Sequence, residues 1–168
     1  VDARAGGNLG TPLCEFVQDV SSDGVVVAEV SAFQLWSTHA FAPDGVGFTN
    51  ISFDHLDYFE TYDEYVDAKK RALANAHANT LGVFNAGDEH LARWAAEFPG
   101  RTLVYGARER DVAGFDEAMW LDGSAVLGRL DGGAPRVWVE DVGELPFRGE
   151  HNVENLMCAA GLALVRLS

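Results

Sequence analysis

Basic residues are scarce in this chain: 12 Lys and Arg stand against 26 Asp and Glu, a formal charge of −14 over 168 residues. Affinity for nucleic acid rests on neutralising phosphates with cations, so this balance excludes a non-specific nucleic-acid binder. It leaves room for a phosphate site in which metal ions and a few local cations do the neutralising. Cysteine is nearly absent as well. Cys14 and Cys158 lie far apart, without metal-ligand spacing and in apolar surroundings, the pattern of buried free thiols in a reducing compartment. No apolar run approaches the roughly 20 residues that span a bilayer. The opening Val1-Asp2-Ala3-Arg4-Ala5 lacks the basic start and apolar stretch of a secretory leader. These absences point to a soluble, cytoplasmic protein with no membrane partner. A Gly-x-x-x-x-Gly-Lys-Ser/Thr phosphate loop is missing too. So is an initiator Met, and the chain reads as begun inside a longer protein.

What is present is enough for an ordinary globular fold with one core. Hydrophobic residues make up 48%, which excludes a disordered chain. Gly24 to Val30 is a short apolar, β-branched run that suits a strand buried on both faces, as in a parallel sheet. Val46–Ile51, Thr80–Asn85 and Thr102–Gly106 are three more strand candidates. Helical patterns alternate with them. Thr61 to Ala78 carries Tyr65, Ala68, Ala72, Leu73 and Ala76 close to one stripe, and Asp88 to Phe98 is stopped by Pro99-Gly100. Strand–helix alternation predicts an α/β fold, a mostly parallel sheet with flanking helices. After Gly114 the pattern changes. Ala118–Leu121, Ala125–Leu130 and Arg136–Glu140 are short strands separated by Asp122-Gly123-Ser124 and Asp131-Gly132-Gly133, which predicts a small antiparallel meander. A helix over about Asn152 to Arg166 closes the chain.

Five segments carry residues suited to chemistry. Gly6-Gly7-Asn8-Leu9-Gly10-Thr11-Pro12 allows close backbone approach to a ligand, with Asn8 able to hydrogen-bond it; a turn and helix start accounts for it equally well. Glu29 stands near the carboxyl end of a strand, where ligands gather in open α/β sheets, and a carboxylate there suits magnesium. A Glu in so apolar a run must find a partner. Ser31, Gln34 and their neighbours follow directly. Asn50 to Asp57 clusters polar groups past the second strand; His55 has acidic company, while Asp54 or Asp57 could cap the next helix. Lys69 flanks the apolar stripe and could point inward while Arg71 points out. His151, Asn152 and Asn155 stand at the start of the last helix. The two asparagines share a face and could read a planar heterocycle or cap the helix.

Taken in order, these segments resemble the Mur ligases. Glu29-Val30-Ser31-Ala32-Phe33-Gln34-Leu35 is similar to the family's Glu-x-Ser-Ser-Phe-Gln-Leu segment, with Ala32 in place of the second Ser. Asn50 to Asp57 followed by Tyr65-x-x-Ala68-Lys69 resembles its Asp-His-x-Asp and Tyr-x-x-Ala-Lys pattern. Gly149-x-His151-Asn152-x-x-Asn155 and Gly7-Asn8-Leu9-Gly10 resemble two further elements. The resemblance covers nearly the whole chain, and its specificity lies in four motifs in series. It implies the family's central ATP-binding domain, without the upstream phosphate loop, the N-terminal UDP-binding domain and the C-terminal domain.

The resemblance also implies roles. Glu29 and His55 would be magnesium ligands, and Lys69, once carbamylated, would hold a second Mg2+. Asn8, Ser31 and Gln34 would meet the UDP-linked substrate. Asn152 and Asn155, with His151 beside them, would lie by the adenine of ATP. The implied reaction is ATP-driven amide formation in peptidoglycan synthesis through an acyl phosphate. Phe33-Gln34 is similar to the branch adding D-glutamate to UDP-N-acetylmuramoyl-L-alanine. The lysine- or diaminopimelate-adding ligases, the folylpolyglutamate synthases and a non-catalytic nucleotide-binding module are the alternatives. Without its phosphate-loop strand the chain is expected to be inactive alone and to self-associate through an exposed sheet edge.

Overall fold

The computed structural model describes residues 2–52 and 58–167. They fall into two compact units: the described residues of Val1–Phe41 and His55–Ala72, and those of Ala42–Asp54 and Leu73–Ser168.

In the first unit, β1 (Ala3–Gly7) pairs in parallel with β2 (Val25–Glu29), with Gly7 opposite Glu29. The Gly-rich turn read at residues 6–12 follows β1, closed by the Gly7 backbone amide donating to the Thr11 carbonyl oxygen at 3.0 Å, and only Gly6 and Gly7 of that segment belong to the strand. Gly7 is needed there: its φ is +128°, and a Cβ would collide with the Glu29 carbonyl oxygen. The expectation that β2 is buried on both faces is not met. Val26 and Val27 are 39% and 55% exposed. Among the described residues the sheet they belong to has two strands, and β-branched composition alone supplies no covering layer.

Two helices complete this unit. α1 (Ala32–Trp36) is one turn long, and α2 (Tyr62–Lys70) begins at Thr61, whose hydroxyl accepts from the Glu64 amide. α2 buries Tyr65, Val66 and Ala68, the inner face of the predicted stripe. It is shorter than the sequence pattern, giving way at Arg71 to a single 3-10 turn. Phe33, Tyr58, Phe59 and Tyr65 form a chain of ring contacts that ties α1 to α2. Arg71 does not point out to solvent as expected. Its guanidinium lies 5.5 Å from the Trp36 ring centroid, since a planar cation stacks on an aromatic face.

The second unit is built on one six-stranded sheet in sequence order: β3 (Gly45–Phe48), β4 (Leu81–Asn85), β5 (Arg101–Gly106), β6 (Glu117–Asp122), β7 (Ala125–Arg129) and β8 (Arg136–Val139). The first four strands are parallel, and β6, β7 and β8 are antiparallel. The predicted meander therefore extends the same sheet. β6 serves both halves, pairing in parallel with β5 and antiparallel with β7.

Period-2 alternation assigns each face a helix. Phe48 and Phe84 point toward α3 (Glu89–Glu97), stack on each other, and meet Trp94 and Phe98 edge to face. Asp88 caps α3 by accepting from the His90 and Leu91 amides, and Phe98-Pro99 ends it, as the sequence predicts. Leu81, Val83, Leu103, Tyr105 and Met119 point the other way. They pack on Met157, Cys158 and Leu164 of α4 (Glu150–Ala163) and the turn after it.

Glycines set how closely α4 approaches. A Cβ on Gly161 would stand 2.9 Å from Val83 Cγ1, and one on Gly47 would stand 2.7 Å from Leu162 Cδ1. Val83 is stiff at χ1 and fully buried, so it cannot yield. Gly161→Leu should lower unfolding free energy by about 1–3 kcal/mol, the usual cost of overpacking. A urea midpoint unchanged from wild type would remove α4's close approach as a source of stability.

Candidate functional site

In the first unit, four of the candidate residues come together at the carboxyl ends of β1 and β2. Asn8 follows β1, and its backbone N–H donates to the Glu29 carbonyl oxygen at 2.8 Å. Glu29 ends β2, and two residues later Ser31 opens α1. The local fold follows from the sequence: a β-branched run gives the strand, and a Ser with Gln three residues on gives a capping box. The Gln34 amide donates to Ser31 Oγ at 3.3 Å, and Gln34 Oε1 accepts from the Ser31 amide at 2.9 Å. Ser31 Oγ also donates to Gln34 Oε1 at 3.1 Å. Ser31 and Gln34 are thus locked together, and their remaining polar capacity faces outward.

Glu29 is exposed. The sequence argument that it must find a protein partner therefore does not hold, because a strand-end carboxylate in water keeps its hydration. Its oxygens are hard donors of the kind magnesium prefers. Lys69 lies on the last turn of α2, half-buried between Ala68, which is fully buried, and exposed Lys70. Its Nζ lies 5.3 Å from the centroid of the Tyr65 ring, one helical turn back. The inward lean expected for Lys69 is observed. His55, Asp54 and Asp57 lie outside the described residues. Among the described residues no cluster of three or more His, Cys, Asp and Glu side chains could hold a metal ion.

The other candidates belong to the second unit, at the head of α4. Gly149 precedes that helix with φ +99°, and no side chain caps it. Asn152 is half-buried and its Nδ2 donates to the Arg148 carbonyl oxygen at 2.7 Å. This bond steadies the approach to the helix but satisfies none of its free amides, so the capping role does not apply. His151 and Asn155 are exposed. Asn155 is one turn along from His151, so both offer polar groups to solvent on neighbouring positions of one face.

Sequence reasoning missed a third group. Asn85, at the carboxyl end of β4, is buried to 6% exposure. Its Nδ2 donates to the Thr49 carbonyl oxygen at 3.0 Å and to Glu154 Oε2 at 3.4 Å. Beside it, the Tyr105 hydroxyl donates to the Phe48 carbonyl oxygen at 2.9 Å. Burial, reinforced by Cys158, Glu154 and Asp88 nearby, pushes the Tyr105 phenol far above its usual range. Burial likewise raises the Cys158 thiol to about 11, with the Tyr105 hydrogen bond opposing the rise. The sequence reading of two buried thiols is half right: Cys158 is buried and Cys14 is exposed. The only available sequence signal for Asn85 was its place at the end of a strand between an apolar run and Gly87.

The larger concavity described, about 770 Å³, opens at the amino ends of β5 and β6 around Arg101, Asp116, Glu117 and Asp131. Arg101 Nε donates to both Glu117 oxygens there, at 2.9 and 3.0 Å. This is the end of the strands opposite Asn85, and it holds none of the candidate residues. Among the described residues no helix is long and apolar enough to cross a membrane.

Comparison with known proteins adds an independent finding. The Mur ligase middle domain matches residues 9–163. The UDP-N-acetylmuramoylalanine–D-glutamate ligase of Syntrophotalea carbinolica is 38% identical over 157 residues, covering 94% of this chain and 33% of the relative. The ligase of the same name from Geotalea daltonii is 32% identical over 165 residues, covering 98% of this chain and 35% of the relative. The chain spans about a third of the length of the curated relatives it matches. Among solved structures, MurF from Acinetobacter baumannii superposes with a TM-score of 0.63 at 18% identity, covering 99% of this chain and 37% of that one. The MurF ligase from Thermotoga maritima in complex with ADP gives 0.60 at 13% identity, over 99% and 39%. At such identities the structures establish the fold.

Proposed function

Because the chain belongs to the Mur ligase family, through its middle domain, we propose that it is the nucleotide-handling middle part of an ATP-dependent ligase. In this reading the whole protein joins D-glutamate to UDP-N-acetylmuramoyl-L-alanine. The observation that carries the assignment is the match along nearly all of the chain to relatives named for that reaction. The Phe33-Gln34 pair, with Gln34 fixed by Ser31, supports the same choice.

The reaction is amide formation through an acyl phosphate. The carboxylate of the UDP-linked substrate attacks the γ-phosphate of ATP, giving the acyl phosphate and releasing ADP. The amine of D-glutamate then attacks the activated carbonyl, and phosphate leaves. Asn8 and Ser31, at the strand ends, are suited to orient the UDP-linked substrate with neutral hydrogen bonds. Asn152 and Asn155 are suited to an adenine edge, since an amide offers one acceptor and two donors in a plane. Glu29 and, once carbamylated, Lys69 would supply oxygen donors of the kind Mg2+ takes, and His55 would add a ring nitrogen. When bound, magnesium neutralises phosphate charge and stabilises the charge that develops at transfer.

The test restores the flanking sequence and measures phosphate release with UDP-N-acetylmuramoyl-L-alanine and a panel of amino acids. D-glutamate should give turnover well above L-lysine and diaminopimelate, and the 168-residue chain alone should give none. Equal turnover with L-lysine would end the D-glutamate assignment, and amide synthesis by the short chain would end its reading as one part of a site.

A further inference from the structure

Among the described residues, the backbone that leaves β3 has no ladder partner after Phe48, yet side chains fix polar groups of Phe48, Thr49 and Ile51. The Phe48 carbonyl oxygen accepts from the Tyr105 hydroxyl, the Thr49 carbonyl oxygen from Asn85 Nδ2, and the Ile51 amide donates to Asp88 Oδ2 at 2.7 Å. Three side chains from β4, β5 and the cap of α3 thus hold the last residue of β3 and two of the three residues that follow it, Thr49 and Ile51, which adopt no regular structure. Backbone groups must be satisfied somewhere, but water would serve a surface loop as well. Side chains committed to the task fix the position of the loop.

Asn85 is the centre of this arrangement. Its Oδ1 accepts from the Gly87 amide at 2.8 Å, which orients the carboxamide and aims Nδ2 at Thr49 and Glu154 together. Glu154 lies on α4 between Asn152 and Asn155 and points to the sheet rather than to solvent. One buried amide therefore links the exit of β3 to the helix head on which the asparagine pair stands.

We propose that Asn85 is a positioning residue for nucleotide binding: through Glu154 it sets the head of α4 against the backbone leaving β3. This rests on the reading that α4 receives the nucleotide. Asn85→Asp turns a donor into a charged acceptor facing a carbonyl oxygen and a carboxylate, so the link becomes a repulsion. Glu154→Ala removes the partner, whereas Glu154→Gln keeps an acceptor oxygen in place.

The experiment measures the Kd of Mg·ADP by calorimetry on the ligase with its flanking sequence restored. Asn85→Asp and Glu154→Ala should each weaken binding about tenfold, the scale of a hydrogen bond to a charged group. Glu154→Gln should bind within about twofold of wild type, and the KM for D-glutamate should not move in any of them. Partial unfolding lowers the measured stoichiometry and leaves Kd unchanged, so a merely structural Asn85 would show reduced stoichiometry with no shift in Kd. Unchanged Kd in Asn85→Asp and Glu154→Ala overturns the inference. Should Asn85→Asp not fold, the two Glu154 variants decide it by the same comparison. If wild type binds Mg·ADP but prefers an amino acid other than D-glutamate, the substrate assignment fails and this inference stands. If wild type does not bind Mg·ADP, both fail.

Discussion

Replacing Lys69 by alanine in the ligase with restored flanks should lower kcat by about 10²–10³-fold, the usual cost of losing one stabiliser of transition-state charge. The expectation starts from position. Tyr65, Val66 and Ala68 anchor the inner face of α2, which leaves Lys69 half-buried at its edge with Nζ near the Tyr65 ring. Lys70, one residue on, is exposed, and Lys70→Ala should be close to wild type. Lys69→Arg distinguishes the two chemistries open to this side chain. Arginine keeps the positive charge but cannot take up carbon dioxide to become a carboxylate-like ligand. If Lys69 works as a carbamate, the arginine variant should be as inactive as the alanine variant, and ¹³C-bicarbonate should give a carbamate resonance in wild type alone. An arginine variant retaining most of its activity would show that charge suffices and would remove the carbamate from the mechanism.

The largest effect on stability is expected at Tyr105, which is fully buried beneath α4. Tyr105→Ala should cost about 3–5 kcal/mol, as other deletions of buried aromatic rings do. That is a large share of the roughly 5–15 kcal/mol that holds a typical domain. Tyr105→Phe should cost about 1 kcal/mol, the net worth of the hydroxyl's bond to the Phe48 carbonyl oxygen. Urea unfolding of the three proteins checks the order. Equal losses in both variants would mean that the hydroxyl, rather than the ring's volume, supplies the stability.

The same residue predicts a pH dependence. The folded-state pKa of Tyr105 is raised, so the folded protein keeps the neutral phenol at pH values where the unfolded chain ionises. The stability this provides is complete below the unfolded pKa of about 10 and declines as pH rises above it. Cys158 acts in the same direction from somewhat lower pH, because its thiol is raised to about 11. Unfolding free energy should therefore fall above about pH 9, and less steeply in Tyr105→Phe.

Much of this was legible in the sequence, for reasons that differ from element to element. β4 and β5 were readable because a continuous apolar run of strand length suits a strand covered on both faces, and both are so covered. α3 was readable because Asp88 and Pro99 mark its ends within the segment itself. The capping box at Ser31 and Gln34 was present as spacing, although the sequence reading valued those residues for a ligand. β2 was read correctly as a strand and wrongly as a buried one, because composition specifies backbone preference while burial needs neighbours. The inward lean of Lys69 followed from its distance to Tyr65 and Ala68 along one helix. The stacking of Arg71 on Trp36 did not follow, since those residues are far apart in the chain.

The sequence by itself determined the family, the α/β class, the strand segments of the large sheet and the positions of the motifs. Each is written in local patterns: periodicity, caps, turn residues and short runs of fixed spacing. Only the tertiary structure decided that β6 joins the parallel and antiparallel halves into one sheet, that Gly47 and Gly161 set the approach of α4, and that Asn85 reaches both Thr49 and Glu154. Those are contacts between residues 36 and 69 positions apart in the case of Asn85. No local rule encodes them, because they exist only once the chain has packed.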